Sequence, residues 1–382
     1  MGKEYLMIPG PTPIPEEVAR AMSTEMFNHR GPRFKELIEQ LTAELKKIFQ
    51  TEGRLFILTA SGTGGMEAAI VNFLSPGQRI ISLTNGSFGE RMAQIAEIYG
   101  VQVERLASEW GEPLPYDELE KRLREDARGE IKAITVVHNE SSTGMMNDLA
   151  LISRLRGSHP ALLLVDTVSS MGAVDIPVDE WGIDVCFTGS QKALMLPPGL
   201  AIISVGERAW ARMADSGMKR FYLNLATAQE FLDIGQTPFT PALSQMVAMK
   251  KSLELYFSEG RERCYARHRR MAGATRAAMR ALGLELLVGE KEASLTVTAV
   301  KKPEEIDISR LRAVMREDFG VEIAGGQGKL QGKIFRLGHL GAVTEMDVIV
   351  AIAALEMALA RLNYPVSLGQ GVKAAQEVIL AG

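Results

Sequence analysis

The chain alternates short apolar runs with amphipathic segments over its first two thirds. Runs such as RLFILTA (54–60), RIISLTN (79–85) and ALLLVDTVSS (161–170) are separated by segments such as FGERMAQIAEIYG (88–100), in which apolar residues recur three and four positions apart. The runs are typical of buried strands, and the segments between them are typical of amphipathic helices. This order of elements predicts an α/β fold with a mostly parallel sheet covered by helices on both faces.

Two changes in pattern divide the chain. The first fifteen residues, MGKEYLMIPGPTPIP, are rich in proline and glycine and predict an extended arm rather than a helix. After about Glu259 a basic helix follows, and strands and helices then alternate to the end, as in a small α+β unit. With 382 residues the chain also exceeds one ordinary core. We therefore expect an arm (1–15), a large domain (16–260) and a small C-terminal domain (261–382).

Charge and composition exclude several kinds of partner. The formal net charge is -4, which argues against a nucleic-acid or anionic-membrane surface because such partners usually need a basic field. No apolar run approaches the length of about 18 residues that spans a bilayer. Two cysteines and five scattered histidines predict neither a disulfide framework nor a metal site. We expect a soluble cytoplasmic protein with small-molecule partners.

A Gly-rich turn follows the first of these strands, in TASGTGGMEAA (59–69). Glycines let the backbone approach an anion, and the start of a helix offers unpaired N–H groups. The predicted phosphate contacts are Thr63, Gly64 and Gly65, although a simple Gly-rich turn explains the motif equally well. A dinucleotide fold would also place glycines here, but RIISLTN ends without the acidic residue that would hold a ribose.

Two charged residues follow neighbouring strands further along. Asp166 ends an apolar strand, and Lys192 follows the next strand in FTGSQKALMLPPG (187–199). A turn cap explains Asp166 equally well, and a turn lysine is ordinarily a solvated charge. Together with the Gly-rich turn, however, they match the needs of pyridoxal phosphate, which are an amine for the aldehyde, a carboxylate for the protonated ring nitrogen and amide donors for the phosphate.

A fourth candidate, Arg336, lies in KIFRLGHLG (333–341) of the predicted C-terminal domain. A guanidinium can bind a carboxylate through two parallel hydrogen bonds, which suits the α-carboxylate of an amino acid. A surface ion pair is the alternative for this residue.

These motifs carry a family resemblance. HNESSTG (138–144), LLLVDTVSS (162–170) and GSQKALMLPPG (189–199) in succession resemble the class V aminotransferases of the alanine–glyoxylate and serine–pyruvate group, and the likeness runs from PGPTPIP (9–15) to FRLGHLG. The resemblance implies the type I fold of pyridoxal-phosphate enzymes, with a seven-stranded sheet in the large domain. It also implies transamination from alanine or serine to glyoxylate or pyruvate, with pyridoxal phosphate as the cofactor and a homodimer that shares its active sites.

Carried over by residue, the resemblance makes Lys192 the Schiff-base lysine and Asp166 the partner of the ring nitrogen. The further positions that it implies fall into three groups, which are the two faces of the ring (Phe88 and Val168), the neighbours of its polar substituents (Ser141 and Gln191) and a neighbouring subunit's phosphate (Thr237 and Thr240). Arg336 matches the carboxylate clamp, and Gly10 lies in an arm that lines the substrate pocket.

The chain departs from the family at three of these positions. Phe88 stands where tryptophan is frequent, so the stacking remains but the indole area is lost. Gly65 stands where some relatives carry histidine, and Thr237 stands where the mammalian members have tyrosine. At Gly65, phosphate binding would therefore rest on backbone amides.

Several alternatives stay open at this point. An aspartate or phosphoserine aminotransferase would need a second cation in the pocket, and candidates such as Arg30 cannot be placed from the sequence. A cysteine desulfurase would need a cysteine on a mobile loop, whereas Cys264 lies in a predicted helix and Cys186 in a predicted strand. A nicotinamide-dependent oxidoreductase has only the Gly-rich turn in its favour, and a non-catalytic subunit would have no reason to keep Lys192, Asp166 and Arg336 together. The physiological amino donor, its acceptor and the pathway are not fixed by the sequence.

Overall fold

The computed structural model describes residues 4–381. Its strands are β1 (Tyr5–Met7), β2 (Arg54–Thr59), β3 (Arg79–Thr84), β4 (Gln102–Ala107), β5 (Ile131–Val137), β6 (Asn139–Glu140), β7 (Met145–Met146), β8 (Leu162–Asp166), β9 (Val185–Gly189), β10 (Leu200–Val205), β11 (Val297–Lys301), β12 (Val321–Gly325) and β13 (Ile334–Gly338). Its α-helices are α1 (Glu16–Ala21), α2 (Pro32–Phe49), α3 (Gly62–Val71), α4 (Ser87–Ile98), α5 (Tyr116–Glu125), α6 (Leu149–Arg156), α7 (Glu207–Met213), α8 (Leu225–Leu232), α9 (Leu243–Glu259), α10 (Arg261–Ala281), α11 (Ile308–Phe319), α12 (Glu345–Arg361) and α13 (Gln370–Leu380).

A seven-stranded sheet with the order β2-β10-β9-β8-β5-β3-β4 forms the centre of the molecule. All neighbouring pairs from β9 to β4 are parallel, and β10 runs antiparallel to both β9 and β2. Strands β8, β9 and β10 are buried at every position, as expected for strands that helices cover on both faces. The α/β class and the mostly parallel sheet of seven strands that the sequence predicts are confirmed.

A second, four-stranded sheet has the order β1-β12-β13-β11. Its β1 comes from the predicted arm and pairs parallel to β12 in the register Tyr5–Val321 to Met7–Ile323. Met7 is 2% exposed and packs in the same apolar cluster as Val321 and Phe335. The extended conformation predicted for this segment is therefore used to extend the C-terminal sheet, which the sequence pattern did not reveal.

The helices show why these sequences fold locally as they do. In α2 the buried residues recur three and four positions apart, including Leu37, Leu41 and Leu45, which face the large sheet's core. Helix α12 begins with a capping box, in which Thr344 accepts from the Asp347 amide while the Asp347 carboxylate accepts from the Thr344 amide. Among residues 4–381 there is no helix with the length and apolar character that a membrane crossing requires.

Candidate active site

A cleft of about 190 Å³ opens at the carboxyl edge of the large sheet. Residues that follow four of its strands line this cleft, namely Ser61 and Thr63 after β2, Phe88 after β3, Asp166 and Val168 at the end of β8, and Gln191 and Lys192 after β9. Parallel strands end on the same edge, where doubly wound sheets bind their ligands. The fold thus brings together residues that are up to 131 positions apart in the sequence, as the numbering from Ser61 to Lys192 shows.

Lys192 lies in a turn that the rest of the chain holds in place. The Ser190 hydroxyl donates to the Pro197 carbonyl over 2.7 Å, and the Thr12 hydroxyl donates to the Lys192 carbonyl over 3.1 Å. The Lys192 amine donates to the Pro9 carbonyl over 2.5 Å. A Cβ at Gly10 would lie 2.5 Å from this amine and Gly10 has a φ of +135°, so only glycine fits this part of the arm.

The environment of the Lys192 amine alters its acidity. The side chain is partly exposed through the cleft, but the amine itself lies deep among protein atoms. This desolvation lowers the pKa of Lys192 to about 8; the nearby positive charge of Arg336 also lowers it, and the negative charge of Asp166 opposes the change. A larger fraction of this amine than of an ordinary lysine is therefore neutral and nucleophilic near neutral pH.

Asp166 lies at the bottom of the same cleft and is 4% exposed. Burial raises the pKa of its carboxyl to about 7. The Val168 N–H, which donates to Oδ1 over 2.7 Å, and the positive charge of Lys192 oppose this rise. A carboxyl at this depth is ionised more readily beside a positive group, and a protonated heteroaromatic nitrogen is such a group.

Phe88 lines the cleft from the start of α4, and a buried carboxylate holds its backbone. Oε2 of Glu140 accepts from the N–H groups of Phe88 and Gly89, each over 3.0 Å, while Oε1 accepts from the Ser142 hydroxyl over 2.5 Å. The guanidinium of Arg91 lies over the Phe88 ring at 4.8 Å from its centroid. Glu140 and Arg91 therefore fix the position of an aromatic ring that faces the cleft, and sequence reasoning did not identify either of them.

The start of α3 forms the wall where a phosphate was expected. Ser61 is the N-cap residue of α3, and Ser61, Gly62 and Thr63 line the cleft. Gly65 is instead buried one turn into the helix, where a Cβ would lie 3.3 Å from Phe187 and 3.4 Å from Ala201 of the sheet. A Cβ at Gly64 would meet Ala60 at 2.6 Å. Of the three predicted phosphate contacts only Thr63 lines the cleft, together with Ser61 and Gly62, because the helix already starts at Gly62; the N-cap serine was the signal in the sequence.

A second cleft of about 350 Å³ adjoins the first and shares Phe88, Ser141 and Lys192 with it. Gly10 and Arg336 also line this second cleft. Arg336 is 4% exposed, and it donates from Nε and Nη2 to the Gly325 carbonyl over 3.0 and 2.7 Å and from Nη1 to the Ser141 carbonyl over 2.7 Å. A guanidinium has five N–H groups, so one remains on each terminal nitrogen for a carboxylate.

The acidity of Arg336 reflects this setting. Burial lowers its pKa to about 10, the negative charge of Glu140 opposes the change, and the positive charge of Arg312 adds to it. Arg336 still carries its charge at neutral pH. Among residues 4–381 no carboxylate forms an ion pair with it, so its charge is available to an anionic ligand.

Thr237 and Thr240 do not line the Lys192 clefts. They border a separate cavity of about 50 Å³ between β2 and the segment that joins α8 to α9. The Thr237 hydroxyl donates to the Phe239 carbonyl over 2.8 Å. Arg30, which lies between α1 and α2, donates to the Pro238 carbonyl of this segment over 3.2 Å and lines neither of the Lys192 clefts.

The groups in the first cleft fit pyridoxal phosphate. Lys192 offers the amine, Asp166 the carboxylate, and the Ser61–Thr63 turn the donors at a helix start. Oε1 of Gln191, which lines the same cleft, is buried without a hydrogen-bond partner in the described part of the chain. A cluster of three or more His, Cys, Asp or Glu side chains suited to a metal ion does not occur within residues 4–381.

Comparison with known proteins gives consistent results. Residues 4–338 match the model of the family described as aminotransferase class-V. The soluble hydrogenase small subunit of Synechococcus sp. (strain PCC 6716) is 43% identical, and the match covers 99% of this chain and 98% of that protein. The serine–glyoxylate aminotransferase of Arabidopsis thaliana is 39% identical (98% and 94% covered), and the L-aspartate–glyoxylate aminotransferase of Paracoccus denitrificans (strain Pd 1222) is 37% identical (97% and 95% covered). The crystal structure of pyridoxamine–pyruvate aminotransferase from Mesorhizobium loti superimposes with a TM-score of 0.94 at 29% identity, covering 100% of this chain and 98% of that one.

Proposed function

The chain belongs to the class V aminotransferases, and from this premise we propose that it transfers the amino group of a small amino acid, alanine or serine, to glyoxylate or pyruvate. It is a pyridoxal-phosphate enzyme with the type I fold, as the sequence resemblance implied. The observation that carries the proposal is the pairing, in adjoining clefts, of an amine with a lowered pKa, Lys192, and a buried guanidinium free of carboxylate partners within the described chain, Arg336.

When bound, the cofactor supplies an aldehyde that takes up the amino group and a protonated ring that draws off electrons from the α-carbon. Asp166 would keep the proton on the ring nitrogen. Phe88 and Val168 would pack on the faces of the ring, Ser141 and Gln191 would lie beside its polar substituents, and Ser61 and Thr63 would bind the phosphate. We infer these roles from the positions of the side chains around the cleft.

Lys192 has a second role as the group that moves the proton. Its amine can hold a proton taken from the α-carbon of the amino acid and return it on the cofactor's side of the molecule, as a general base and then as a general acid. A lowered pKa suits both the uptake and the return of the proton, because the amine is then close to half protonated near pH 8. The Pro9 carbonyl, which accepts from this amine, would hold it in position.

Arg336 would orient the substrate through its α-carboxylate. Its two remaining N–H groups lie on Nη1 and Nη2, and the backbone carbonyls of Gly325 and Ser141 prevent the guanidinium from turning. A fixed fork of this kind places the α-carbon reproducibly with respect to the Lys192 amine.

A homodimer with shared active sites, a cytoplasmic location and the division into residues 1–15, 16–260 and 261–382 are further parts of the proposal. Support for the dimer comes from Phe221, Tyr222 and Ile234, large apolar side chains that are exposed near the cavity of Thr237 and Thr240. Cys186 and Cys264 are both buried free thiols, as is usual in a reducing compartment.

A panel of purified-enzyme assays tests the function. Alanine, serine, aspartate and phosphoserine would each be paired with glyoxylate, pyruvate and 2-oxoglutarate, and kcat/KM would be measured for every pair. We expect the highest values for alanine or serine with glyoxylate or pyruvate. A preference for aspartate with 2-oxoglutarate would overturn the choice of substrate, and turnover of none of the pairs would overturn the proposed activity.

A further inference from the structure

We propose that Glu322 is a specificity-determining residue, which engages Arg312 at the substrate cleft and thereby restricts the cleft to amino acids with a single carboxylate. This inference rests on the proposed function, since it concerns the substrate of the same site. It assigns the discrimination against acidic amino acids to one carboxylate that does not itself contact the reacting atoms.

Two guanidinium groups line the second cleft, which is the substrate cleft of this proposal. Arg312 comes from α11 and Arg336 from β13, and Gly325 lies beside both. The Gly325 carbonyl accepts from Arg336, while a Cβ built on Gly325 would lie 3.5 Å from Nη1 of Arg312. An amino acid with two carboxylates could therefore meet one cation with each end, if both cations were free.

The charge of Arg312 is already engaged. Its Nη2 lies 3.0 Å from Oε1 of Glu322, and its Nε donates to the Ile323 carbonyl over 2.9 Å. Glu322 lines the same cleft, and its side chain is 27% exposed. The charge of Arg312 is thus offset in part by Glu322, whose Oε2 also lies 3.8 Å from Nη1 of Arg316, whereas Arg336 has no carboxylate partner among residues 4–381.

An acidic amino acid meets two penalties in this arrangement. Its side-chain carboxylate would have to displace Glu322 from Arg312, and it would come close to the like charge of Glu322. Alanine and serine have no such carboxylate and meet neither penalty. Without the Glu322 charge, Arg312 would still be anchored through Nε to the Ile323 carbonyl, with both terminal nitrogens free for a second carboxylate.

The test compares Glu322→Gln with the wild-type holoenzyme. We expect kcat/KM for aspartate, divided by that for alanine, to rise by about tenfold or more, the range of one additional hydrogen bond between charged groups. The double variant Glu322→Gln/Arg312→Gln should lose this gain. Glu322→Ala serves as a second single variant, because it removes the carboxylate without retaining an amide that could still bond Arg312.

A matched control separates a local effect from a change in net charge. Asp318 lies on the same helix as Arg312, pairs with Arg361 and does not line the cleft. Asp318→Asn removes the same charge and should leave the ratio of the two substrates within about twofold of wild type.

Binding without turnover gives an independent readout. Protection of the holoenzyme against thermal unfolding would be measured with succinate, which has two carboxylates, and with propionate, which has one. We expect Glu322→Gln to lower the apparent dissociation constant for succinate by about tenfold and to leave that for propionate unchanged.

The outcomes separate this inference from the function on which it rests. Unchanged ratios in both Glu322 variants, or a gain that persists in the double variant or appears in Asp318→Asn, would overturn the role of Glu322 while the transaminase activity stands. A wild type that already prefers aspartate to alanine would overturn it as well. Absence of turnover with every amino acid would overturn the proposed function itself, and this inference with it.

Discussion

Two buried aspartates lie at opposite ends of the same pair of strands and have different surroundings. Asp184 precedes β9 and accepts from Nη1 of Arg156 over 2.6 Å and from the Leu163 amide over 2.8 Å. Asp166 ends β8 and accepts only from the Val168 amide, over 2.7 Å, within the described chain. Each is 4% exposed, and burial raises the pKa of both carboxyls.

The difference separates a charge that the protein pairs by itself from one that we propose the cofactor pairs. At the amino end of β9 the protein itself supplies the countercharge, so the pair is complete without a ligand. At the C-terminal end of β8 the Asp166 side chain has one amide partner and faces a cleft that also contains Lys192. The fold buries a complete ion pair at one edge of the sheet. At the other edge it buries a carboxyl without a positive partner among the described residues, as expected where a ligand supplies the positive group.

The largest expected effect comes from Lys192→Ala. If Lys192 has the two roles proposed for it, binding the cofactor and moving the proton, the kcat of the variant should fall by about 10⁴-fold or more. Because desolvation disfavours the charged amine, the melting temperature of the apoenzyme should not fall. Lys219→Ala, at an exposed position, is the matched control and should keep full activity. Turnover of Lys192→Ala within tenfold of wild type would contradict the assignment.

Asp166→Asn should lower kcat by about 10²- to 10³-fold, because the amide cannot stabilise a proton on the ring nitrogen. The same substitution should not lower the free energy of unfolding at pH 8. The pKa of Asp166 is raised from 3.8 to about 7, so the stability linked to its protonation is present below pH 3.8 and is lost as the pH rises through about 7. The variant apoenzyme should therefore be at least as stable as wild type at pH 8 in urea unfolding, and a clear loss of stability would indicate that Asp166 is a structural charge.

Asp184→Asn should show the reverse pattern. It leaves the buried guanidinium of Arg156 without its countercharge, which we expect to cost about 3 kcal/mol in the free energy of unfolding. The kcat of the folded protein should stay within about twofold of wild type, since no atom of Asp184 lines the clefts. Asp117→Asn, at an exposed position, is the control for urea unfolding. A loss of activity without a loss of stability would remove the contrast between the two aspartates.

The smallest expected effect concerns pH. The neutral Lys192 amine is the form that attacks an aldehyde, and its pKa is lowered to about 8. The rate at which apoenzyme captures pyridoxal phosphate should therefore rise by about tenfold between pH 7 and pH 9 and change little above that. With an ordinary lysine, whose pKa is 10.5, the rate of capture would continue to rise well above pH 9. Continued acceleration beyond pH 9 would show that the amine is not desolvated.

Much of the fold could be predicted from the sequence because the large sheet consists of apolar runs separated by amphipathic helices. The order of the strands and the antiparallel direction of β10 could not, since they depend on contacts between distant segments. The pairing of β1 with β12 joins segments that are more than 300 positions apart in the sequence, and no local pattern encodes it.

The candidate site was predicted to a similar extent. Asp166 and Lys192 were found because each follows an apolar strand, and both line one cleft. Gly64 and Gly65, also predicted as phosphate contacts, do not line this cleft, because helix α3 already begins at Gly62. Arg312 and Glu322 lie ten positions apart in an ordinary helix and strand, so only the structure reveals their ion pair beside Arg336.

The central claim is that Lys192, in the cleft that contains Asp166, anchors the cofactor covalently. Reduction of the holoenzyme with borohydride makes such a bond permanent, and mass spectrometry of the proteolytic peptides then locates the pyridoxyl group. We predict one label per chain on the peptide that contains Lys192, and no label on that peptide in Lys192→Ala. A label on another lysine, or an unlabelled Lys192 peptide from enzyme that transaminates, would contradict the account.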